Sequence, residues 1–287
     1  MPLVTMKEIL VPARKGGYAV GAFEFWSLDS AQAVVEAAQE LGMPVILQTG
    51  FIECEFAGGI KYLSRLAKMV ADEVSIPVAL HLDHAETYDF VCQAIDAGFT
   101  SVMIDASHLS FNENVNITKK VVEAARPGGI TVEAELGKLA GNEGNINVSE
   151  EEASQTDPDE AELFVKETGI DALAVAIGTA HGFYKFMPKI NIERLKEIAN
   201  KVDIPLVLHG GSGVPEDKVV ESIKHGIAKV NICTEFVAAF GRTYTITQQA
   251  AGFKYSIPAL FGPSKAAGKA LVKEKISLFQ RNYVFQQ

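Results

Sequence analysis

Eight short apolar segments, rich in β-branched residues, recur along the chain, and segments with helical spacing separate them. The apolar segments lie at 19–24, 45–49, 77–83, 101–105, 131–137, 172–178, 205–210 and 229–233. Near-continuous apolar strands are typical of a parallel sheet that helices cover. The intervening segments, such as Ser30 to Leu41, often end at a glycine, here Gly42, which is a helix stop signal. Eight such units predict an α/β fold, the parallel eight-stranded (β/α)8 or TIM barrel.

The chain shows no linker and no change of composition that would divide it. We therefore predict one (β/α)8 domain over residues 1–287. Residues from about 138 to 157 are rich in glycine, asparagine and acidic groups without an apolar period, which favours a mobile loop. A helical extension is expected over about 250–287.

Charge and composition exclude several classes of partner. Lys and Arg number 26 against 36 Asp and Glu, a net charge of -10, so neither nucleic acid nor an anionic membrane surface is an expected partner. A small-molecule substrate fits better. The N-terminal residues lack a secretion signal, no apolar run reaches about 20 residues, and the three cysteines form no disulfide framework. These features predict a soluble cytoplasmic protein with reduced thiols.

Polar and ionisable residues gather at the C-terminal ends of the predicted strands, the end that carries the active site in such barrels. They are Glu24, Asp83, His84, Asp105, Glu135, His181, His209 and Asn231. One histidine at a strand end is commonly an ordinary polar residue. Three on one rim match the catalytic zinc arrangement, in which three protein ligands leave a fourth position open. Asp105 and Glu135 face the same rim, either as secondary metal ligands or as part of a hydrogen-bonded acidic ring.

Asp83 stands beside the predicted ligand His84, a position suited to proton transfer at a substrate hydroxyl. Its alternative role is to orient a histidine ligand. Strand alternation turns His81 away from His84, which favours a hydrogen-bonded residue of the barrel wall for His81.

Two segments have the features of a phosphate site. The glycine-rich residues 209–213 follow the seventh strand, and residues 231–235 follow the eighth strand and open a helix. Exposed backbone N–H groups with the hydroxyls of Ser212 and Thr234 form an anion site at a helix N-terminus, and these strands commonly bind phosphate in barrels.

Five motifs together make a specific resemblance. They are HLDHAETYDFVCQAIDAGFTSVMIDASH, VEAELGKLAGNE, AVAIGTAHGFYK, LVLHGGSGV and KVNICTE. From about residue 1 to 247 the chain resembles the class II, zinc-dependent fructose-bisphosphate and tagatose-bisphosphate aldolase family. The resemblance implies a homodimer or homotetramer that binds a sugar phosphate.

The resemblance also implies roles for individual residues. Zinc is bound by His84, His181 and His209, Asp83 acts as acid and base at the C4 hydroxyl, and Glu143 exchanges the C1 proton of dihydroxyacetone phosphate. The residues that match the family's substrate site are Gly182, Gly210, Gly211, Ser212, Asn231, Cys233 and Thr234. A monovalent cation, Na⁺ or K⁺, near the phosphate is typical of the family.

The chain departs from the family pattern on the side of the site that holds the aldehyde product. Where the family has GAFNVNN, this chain has GAFEFWS, so that Glu24 replaces an amide and Trp26 replaces the second asparagine. The family's QxS is Gln48-Thr-Gly50 here, and the C-terminal basic segment with its arginine is absent, with Lys265 or Lys269 as the nearest substitute.

These departures would weaken a distal phosphate, because a like charge is added and a bidentate cation is lost. We predict zinc-dependent, reversible cleavage of a ketose phosphate or bisphosphate to dihydroxyacetone phosphate and an aldehyde other than glyceraldehyde 3-phosphate. A neutral or cationic aldehyde fits better. An ordinary fructose- or tagatose-bisphosphate aldolase, with Glu24 turned elsewhere, is the alternative.

Two other classes are compatible with parts of the sequence. A zinc hydrolase usually takes a His-x-His pair from its first strand, whereas strand one here ends in Glu24. A non-catalytic sugar-phosphate-binding relative would explain the altered rim, but it would give no reason for keeping the metal ligands together with Asp83 and Glu143.

Overall fold

Ten strands and eleven α-helices make up the part of the chain that the structure describes. The computed structural model describes residues 3–139, 141–143, 146–149, 153–184, 187–252 and 256–283. The strands are β1 Val20–Glu24, β2 Val45–Thr49, β3 Val78–Ala85, β4 Ser101–Ile104, β5 Thr131–Leu136, β6 Gly141–Glu143, β7 Ile146–Val148, β8 Ala172–Val175, β9 Leu206–Leu208 and β10 Ile227–Ile232. The helices are α1 Met6–Gly16, α2 Leu28–Leu41, α3 Phe51–Phe56, α4 Ile60–Asp72, α5 Tyr88–Ala97, α6 Phe111–Ala125, α7 Pro158–Thr168, α8 Ile192–Lys201, α9 Glu216–Lys224, α10 Thr234–Ala251 and α11 Ile257–Phe279, with a 3-10 turn at Arg126–Gly128.

Eight of the strands close into a parallel barrel in the order β1-β10-β9-β8-β5-β4-β3-β2. Each of the eight predicted segments supplies one of them, so the predicted (β/α)8 fold is confirmed. Every residue of β1, β2, β3, β5 and β10 is buried, as expected when helices cover the outside and side chains fill the inside.

Helix α1 lies across the amino-terminal ends of the barrel strands. Its apolar face, with Met6, Ile9 and Leu10, packs on a floor of small residues from the strands, including Ala79 and Ala174. A capping box holds the helix start, where Thr5 and Glu8 satisfy each other's backbone N–H groups. Because this end of the barrel is filled, a site inside the barrel opens at the carboxyl ends of the strands.

The predicted loop at about 138–157 contains secondary structure that the apolar periodicity did not indicate. Strands β6 and β7 pair antiparallel, and the backbone of Lys138 pairs with that of Ser154. The two arms have only three residues each, too few for a hydrophobic period to appear. Gly141 has φ +115 and packs so close to the backbone of His181 that a Cβ would lie 2.6 Å from its carbonyl oxygen. The hairpin therefore begins at the rim of the barrel, and the mobility of this loop stays a prediction.

The C-terminal part forms the long helix α11, which packs against α2, α10 and β1. Lys265 and Lys269 lie on the α2 side, where they pair with Glu36 at 2.7 Å and 3.1 Å. Among the described helices, none combines the length and the apolar character that crossing a membrane requires.

Candidate active site

Three histidines converge at the carboxyl end of the barrel. His84 lies near the end of β3, His181 in the segment after β8, and His209 directly after β9. Their ring centroids are 4.5 Å apart for His84 and His209, 5.0 Å for His84 and His181, and 6.1 Å for His181 and His209. One ring nitrogen from each lies within 4.8 Å of the others, which is close enough for one metal ion.

An irregularity in β3 places both Asp83 and His84 in the site. A regular strand would point neighbouring side chains to opposite faces. Here the pairing of β3 with β4 shifts register between Leu82 and Ala85, and His84 has φ +42, in the left-handed region that non-glycine residues seldom adopt. The simple alternation used for His81 and His84 therefore does not hold at His84. Backbone strain of this kind is common where a functional side chain must be aimed.

Carboxylates surround the histidine cluster. Nδ1 of His84 lies 2.7 Å from Oδ2 of Asp105, and Nε2 of His209 lies 2.9 Å from Oε1 of Glu133. These contacts fix the ring orientations, as carboxylates commonly do for metal-binding imidazoles. Oε2 of Glu135 lies 2.9 Å from the other nitrogen of His209, Nδ1, without hydrogen-bond geometry.

The same pair of atoms provides a test of whether the site suits a metal. Among the described residues, both Nδ1 of His209 and Oε2 of Glu135 are buried without a hydrogen-bond partner. Buried polar atoms are rarely left without a hydrogen bond, and here only the mutual contact of 2.9 Å offsets their lost hydration. A cation that accepts their lone pairs would replace the missing hydrogen bonds. Three imidazoles with a nearby carboxylate are a donor set that zinc prefers, so the residues fit the predicted metal.

Electrostatics differ among the cluster members. Burial and His84 lower the pKa of His209, but the carboxylates of Glu133 and Glu135 outweigh them and raise it to about 9. Burial, together with His84 and His209, holds the pKa of His181 well below its usual range. The pKa of Glu135 is raised by burial and by the charge of Asp105. A metal ion at this cluster therefore competes with a proton mainly at His209.

Asp83 is held by several donors beside the cluster. Nδ2 of Asn231 donates to its two oxygens over 3.2 Å and 3.1 Å, and Nε2 of Gln48 donates to Oδ2 over 3.1 Å. Nε2 of His81 lies 3.4 Å from Oδ1. Burial raises the pKa of Asp83, but the positive charge of His84 and Lys229 outweighs burial and keeps it well below its usual range. Asp83 is therefore an ionised acceptor at neutral pH.

Beneath Asp83 lies a buried charged layer that the sequence analysis missed. Lys229 is fully buried, and its Nζ donates to Glu133 over 2.8 Å and 3.0 Å and lies 3.2 Å from Nε2 of His81. His81 is thus a hydrogen-bonded interior residue, with its Nδ1 2.8 Å from the hydroxyl of Ser101. The two-residue period of a strand would have found this layer, because each member lies two positions before a rim residue. The pairs are His81 and Asp83, Glu133 and Glu135, and Lys229 and Asn231.

A cavity of about 160 Å³ opens next to the histidines. It is lined by Gln48, Asp83, His84, His181, Gly182, Gly210, Ser212, Asn231, Cys233 and Thr234. A larger groove of about 630 Å³ runs along the outer helices α2 and α4, far from these residues, and we assign it no role in the chemistry.

Six of the seven predicted substrate-binding residues line the cavity, and Gly211 does not. A Cβ at Gly211 would lie 2.6 Å from Val230 and 2.9 Å from the carbonyl of Asn231, so this glycine allows the loop to pack on β10. Gly210 has φ +63, and a Cβ there would lie 2.4 Å from the carbonyl of Ala180. The N-terminus of α10 begins at Thr234 on the cavity wall, where its N–H groups favour an anion.

Not all of the predicted aldehyde-side residues line the cavity. Gln48 lines the cavity, while Glu24 lies behind it, 4% exposed, and accepts from Nε2 of Gln48 and from the backbone N–H of Gly50, each over 3.2 Å. Trp26 is not among the lining residues. Its ring packs against Phe236 and Phe240, with centroids 5.6 Å and 5.2 Å apart, because the outward-facing position favours apolar contact with α10.

Two further predictions concern the C-terminal lysines and Glu143. Lys265 and Lys269 were expected to be the nearest substitutes for a phosphate-binding arginine, but they pair with α2 glutamates, which corrects that expectation. For Glu143 the backbone lies in β6, and its side chain lies outside the part of the chain that the structure describes.

Known proteins resemble this chain over nearly its whole length. The family described as fructose-bisphosphate aldolase class II matches residues 4–282. Fructose-bisphosphate aldolase from Staphylococcus epidermidis is 42% identical, covering 97% of this chain and 98% of that protein. The enzyme of the same name from Thermus caldophilus is 43% identical, covering 96% and 98%. The crystal structure of the YdjI aldolase from Escherichia coli K12 matches with a TM-score of 0.84 and 33% identity, covering 98% of each chain.

Proposed function

The chain belongs to the class II fructose-bisphosphate aldolase family, and we propose that it reversibly cleaves a ketose phosphate to dihydroxyacetone phosphate and an aldehyde. Members of this family are metal-dependent carbon–carbon lyases. The observation that carries the proposal is the convergence of His84, His181 and His209. His84 and His181 line one cavity together with the ionised Asp83.

The proposed metal is zinc, held by the three histidines, with Glu135 as an additional donor and Asp105 as the group that orients His84. Retro-aldol cleavage leaves negative charge next to a carbonyl, and a bound zinc ion supplies a Lewis acid that stabilises it. A Schiff-base lysine is then unnecessary. Lys229, the one fully buried lysine among the described residues, is occupied by Glu133 and His81 in the layer below the cavity.

Proton transfer is assigned to two carboxylates. Asp83 accepts the proton of the substrate's C4 hydroxyl during cleavage and returns it during synthesis. Hydrogen bonds from Asn231 and Gln48 hold its oxygens in place, so little reorganisation is needed. Glu143 is proposed to exchange the C1 proton of dihydroxyacetone phosphate, and the start of its hairpin against His181 supports this assignment.

The phosphate of the donor is proposed to bind where three segments meet. Gly182, Gly210 and Ser212 border the cavity from two loops, and Cys233 and Thr234 border it from the start of α10. Backbone N–H groups and the helix dipole attract the phosphate. A monovalent cation, Na⁺ or K⁺, beside it would offset the remaining negative charge. Gly211 contributes by allowing close packing rather than by contact.

The aldehyde is proposed to differ from glyceraldehyde 3-phosphate. The described residues that line the cavity include no lysine or arginine, and Lys265 and Lys269 are engaged elsewhere. An ordinary fructose-bisphosphate aldolase remains the second candidate, because relatives at 42% and 43% identity carry that name. We further propose a homodimer or homotetramer in the cytoplasm, which light scattering and cell fractionation would test.

The test is aldol synthesis by the zinc-loaded protein. Dihydroxyacetone phosphate would be incubated with a panel of neutral, cationic and phosphorylated aldehydes, and ketose phosphates detected by ³¹P NMR. We expect products that disappear with chelator and return with zinc. Efficient use of glyceraldehyde 3-phosphate alone would support the ordinary aldolase. No product with any aldehyde, despite bound zinc, would favour a non-catalytic binding protein.

A further inference from the structure

Two lysines are buried among the described residues, Lys229 inside the barrel and Lys275 on the C-terminal helix α11. Nζ of Lys275 lies 2.6 Å from Oε2 of Glu235, which is in the first turn of α10. A lysine loses hydration free energy when it is buried, so a buried lysine is expected to have a specific anionic partner. Glu235 is that partner, and the pair joins α11 to the helix whose start borders the cavity.

The packing of α11 on α10 brings these two charges together. A Cβ at Gly268 of α11 would lie 2.1 Å from the ring of Phe240 and 3.0 Å from the ring of Phe236, so the two helices approach closely at this glycine. Lys275 follows Gly268 by seven residues, about two helical turns, and therefore lies on the same face of α11. On α10, Glu235 directly precedes Phe236. The close helix contact thus fixes the position of the lysine relative to the carboxylate.

Glu235 also contacts the glycine-rich loop that follows β9. Its Oε1 accepts from the backbone N–H of Gly213 over 3.0 Å, and its own backbone N–H donates to the hydroxyl of Ser212 over 3.3 Å. Ser212 lines the cavity, and so does Thr234, the residue before Glu235. A negative charge therefore lies beside the proposed phosphate site, where it would repel a phosphate dianion unless a cation offsets it.

We propose that Lys275 is a positioning residue for the donor phosphate, because it neutralises Glu235 and lets this carboxylate brace the loop without repelling the phosphate. The proposal rests on the phosphate site proposed above and adds a residue of α11 to its support. Lys275 does not line the cavity, so its effect passes through Glu235. The loop is tied separately to β10, where the N–H of Gly211 donates to the carbonyl of Asn231 over 3.1 Å. Removing the charge of Lys275 should therefore leave the course of the loop in place.

The test compares four variants of the zinc-loaded protein. Lys275→Met removes the cation, Glu235→Gln removes the carboxylate charge but keeps an acceptor for Gly213, and the double variant removes both charges. Lys273→Met is the matched control, since Lys273 lies on the same helix but pairs with Glu40 at 3.0 Å on the exposed side. For each protein, calorimetry measures the binding of inorganic phosphate, and deuterium exchange measures kcat and KM for dihydroxyacetone phosphate. Competition with a chelator in phosphate-free buffer measures the zinc affinity.

We expect Lys275→Met to weaken phosphate binding and to raise KM for dihydroxyacetone phosphate by roughly tenfold each, as one uncompensated charge beside an anion site does. Its kcat and its zinc affinity should stay within about twofold of the unaltered protein, because the metal cluster is untouched. The double variant should return to within about threefold of the unaltered protein in both phosphate measurements. Lys273→Met should change them by less than about twofold, as a screened surface charge does.

Unchanged phosphate binding in Lys275→Met, an equal loss in Lys273→Met, or a double variant as weak as Lys275→Met would overturn the proposal. If circular dichroism shows that Lys275→Met does not fold, Glu235→Gln decides instead, because it leaves the lysine charge unopposed and should bind phosphate more tightly. Unchanged or weaker binding by Glu235→Gln then overturns the proposal.

The unaltered protein separates this proposal from the aldolase function. Phosphate binding without deuterium exchange into dihydroxyacetone phosphate would refute the aldolase function and leave the role of Lys275 to the variants. Exchange with an unchanged KM in Lys275→Met would refute only the role of Lys275. Failure of the unaltered protein to bind inorganic phosphate would overturn the phosphate site and the role of Lys275 with it.

Discussion

The buried pair of Lys229 and Glu133 gives a quantitative prediction for the variant Glu133→Gln. Both side chains are fully buried, 2.8 Å apart at the closest atoms, and Glu133 also accepts from His209. Burial raises the pKa of Glu133, but the charges of Lys229 and His81 outweigh burial and lower it to about 2. Against an ordinary value of 4.5, this corresponds to about 3 kcal/mol of stabilisation, and removing one partner of a buried ion pair costs about 3–5 kcal/mol.

We therefore expect Glu133→Gln to lower the free energy of unfolding of the metal-free protein by about 3 kcal/mol, measured by urea denaturation at pH 7. The double variant Glu133→Gln with Lys229→Met removes both charges and should recover a large part of that loss. Because the folded-state pKa of Glu133 lies below its unfolded value, its contribution is present above pH 4.5 and is lost as the pH falls toward about 2. The difference in the free energy of unfolding between the unaltered protein and Glu133→Gln should therefore become smaller as the pH falls from 4.5 toward about 2. A loss below about 1 kcal/mol, or a double variant less stable than the single one, would refute this reasoning.

Three further predictions concern the site. Glu24→Asn should raise activity on fructose or tagatose bisphosphate, since it removes negative charge behind the side of the site that holds the aldehyde. A coupled cleavage assay that finds lower rates on both substrates would count against this electrostatic account. Zinc binding to the metal-free protein at pH 7 should release protons, because carboxylates raise the pKa of His209 to about 9. Calorimetry in buffers of different ionisation enthalpy measures this proton release. A binding enthalpy that does not depend on the buffer would contradict the prediction. Asp83→Asn should slow ketose cleavage by about 10²–10⁴-fold yet keep deuterium exchange at C1 of dihydroxyacetone phosphate. Glu143→Gln should lose that exchange. If Asp83→Asn abolishes the exchange while zinc is still bound, the two roles are misassigned.

The barrel was predictable because eight apolar strands and their helices repeat along the whole sequence. The hairpin of β6 and β7 was not, since arms of three residues carry no usable period. The convergence of His84, His181 and His209 followed from their positions at strand ends. The conformation of His84 did not, because nothing in a histidine's identity specifies a left-handed backbone.

Side-chain direction outside the barrel strands was the weakest part of the prediction. Lys265 and Lys269 were near the right sequence position for a phosphate contact, but the register of α11 on α2 turns them toward Glu36. Trp26 similarly packs on α10. Such orientations depend on how two distant segments dock, which local sequence patterns do not contain. The interior layer of Lys229 and Glu133 is different, since strand periodicity alone was sufficient to find it.

The most direct measurement is NMR of dihydroxyacetone phosphate in D₂O with the zinc-loaded protein, following deuterium uptake at the hydroxymethyl carbon. This experiment tests the metal cluster and the donor half of the site without requiring the aldehyde. We predict exchange that a chelator stops and added zinc restores. No exchange by protein that demonstrably holds zinc would contradict the account and point to an altered donor or a binding protein.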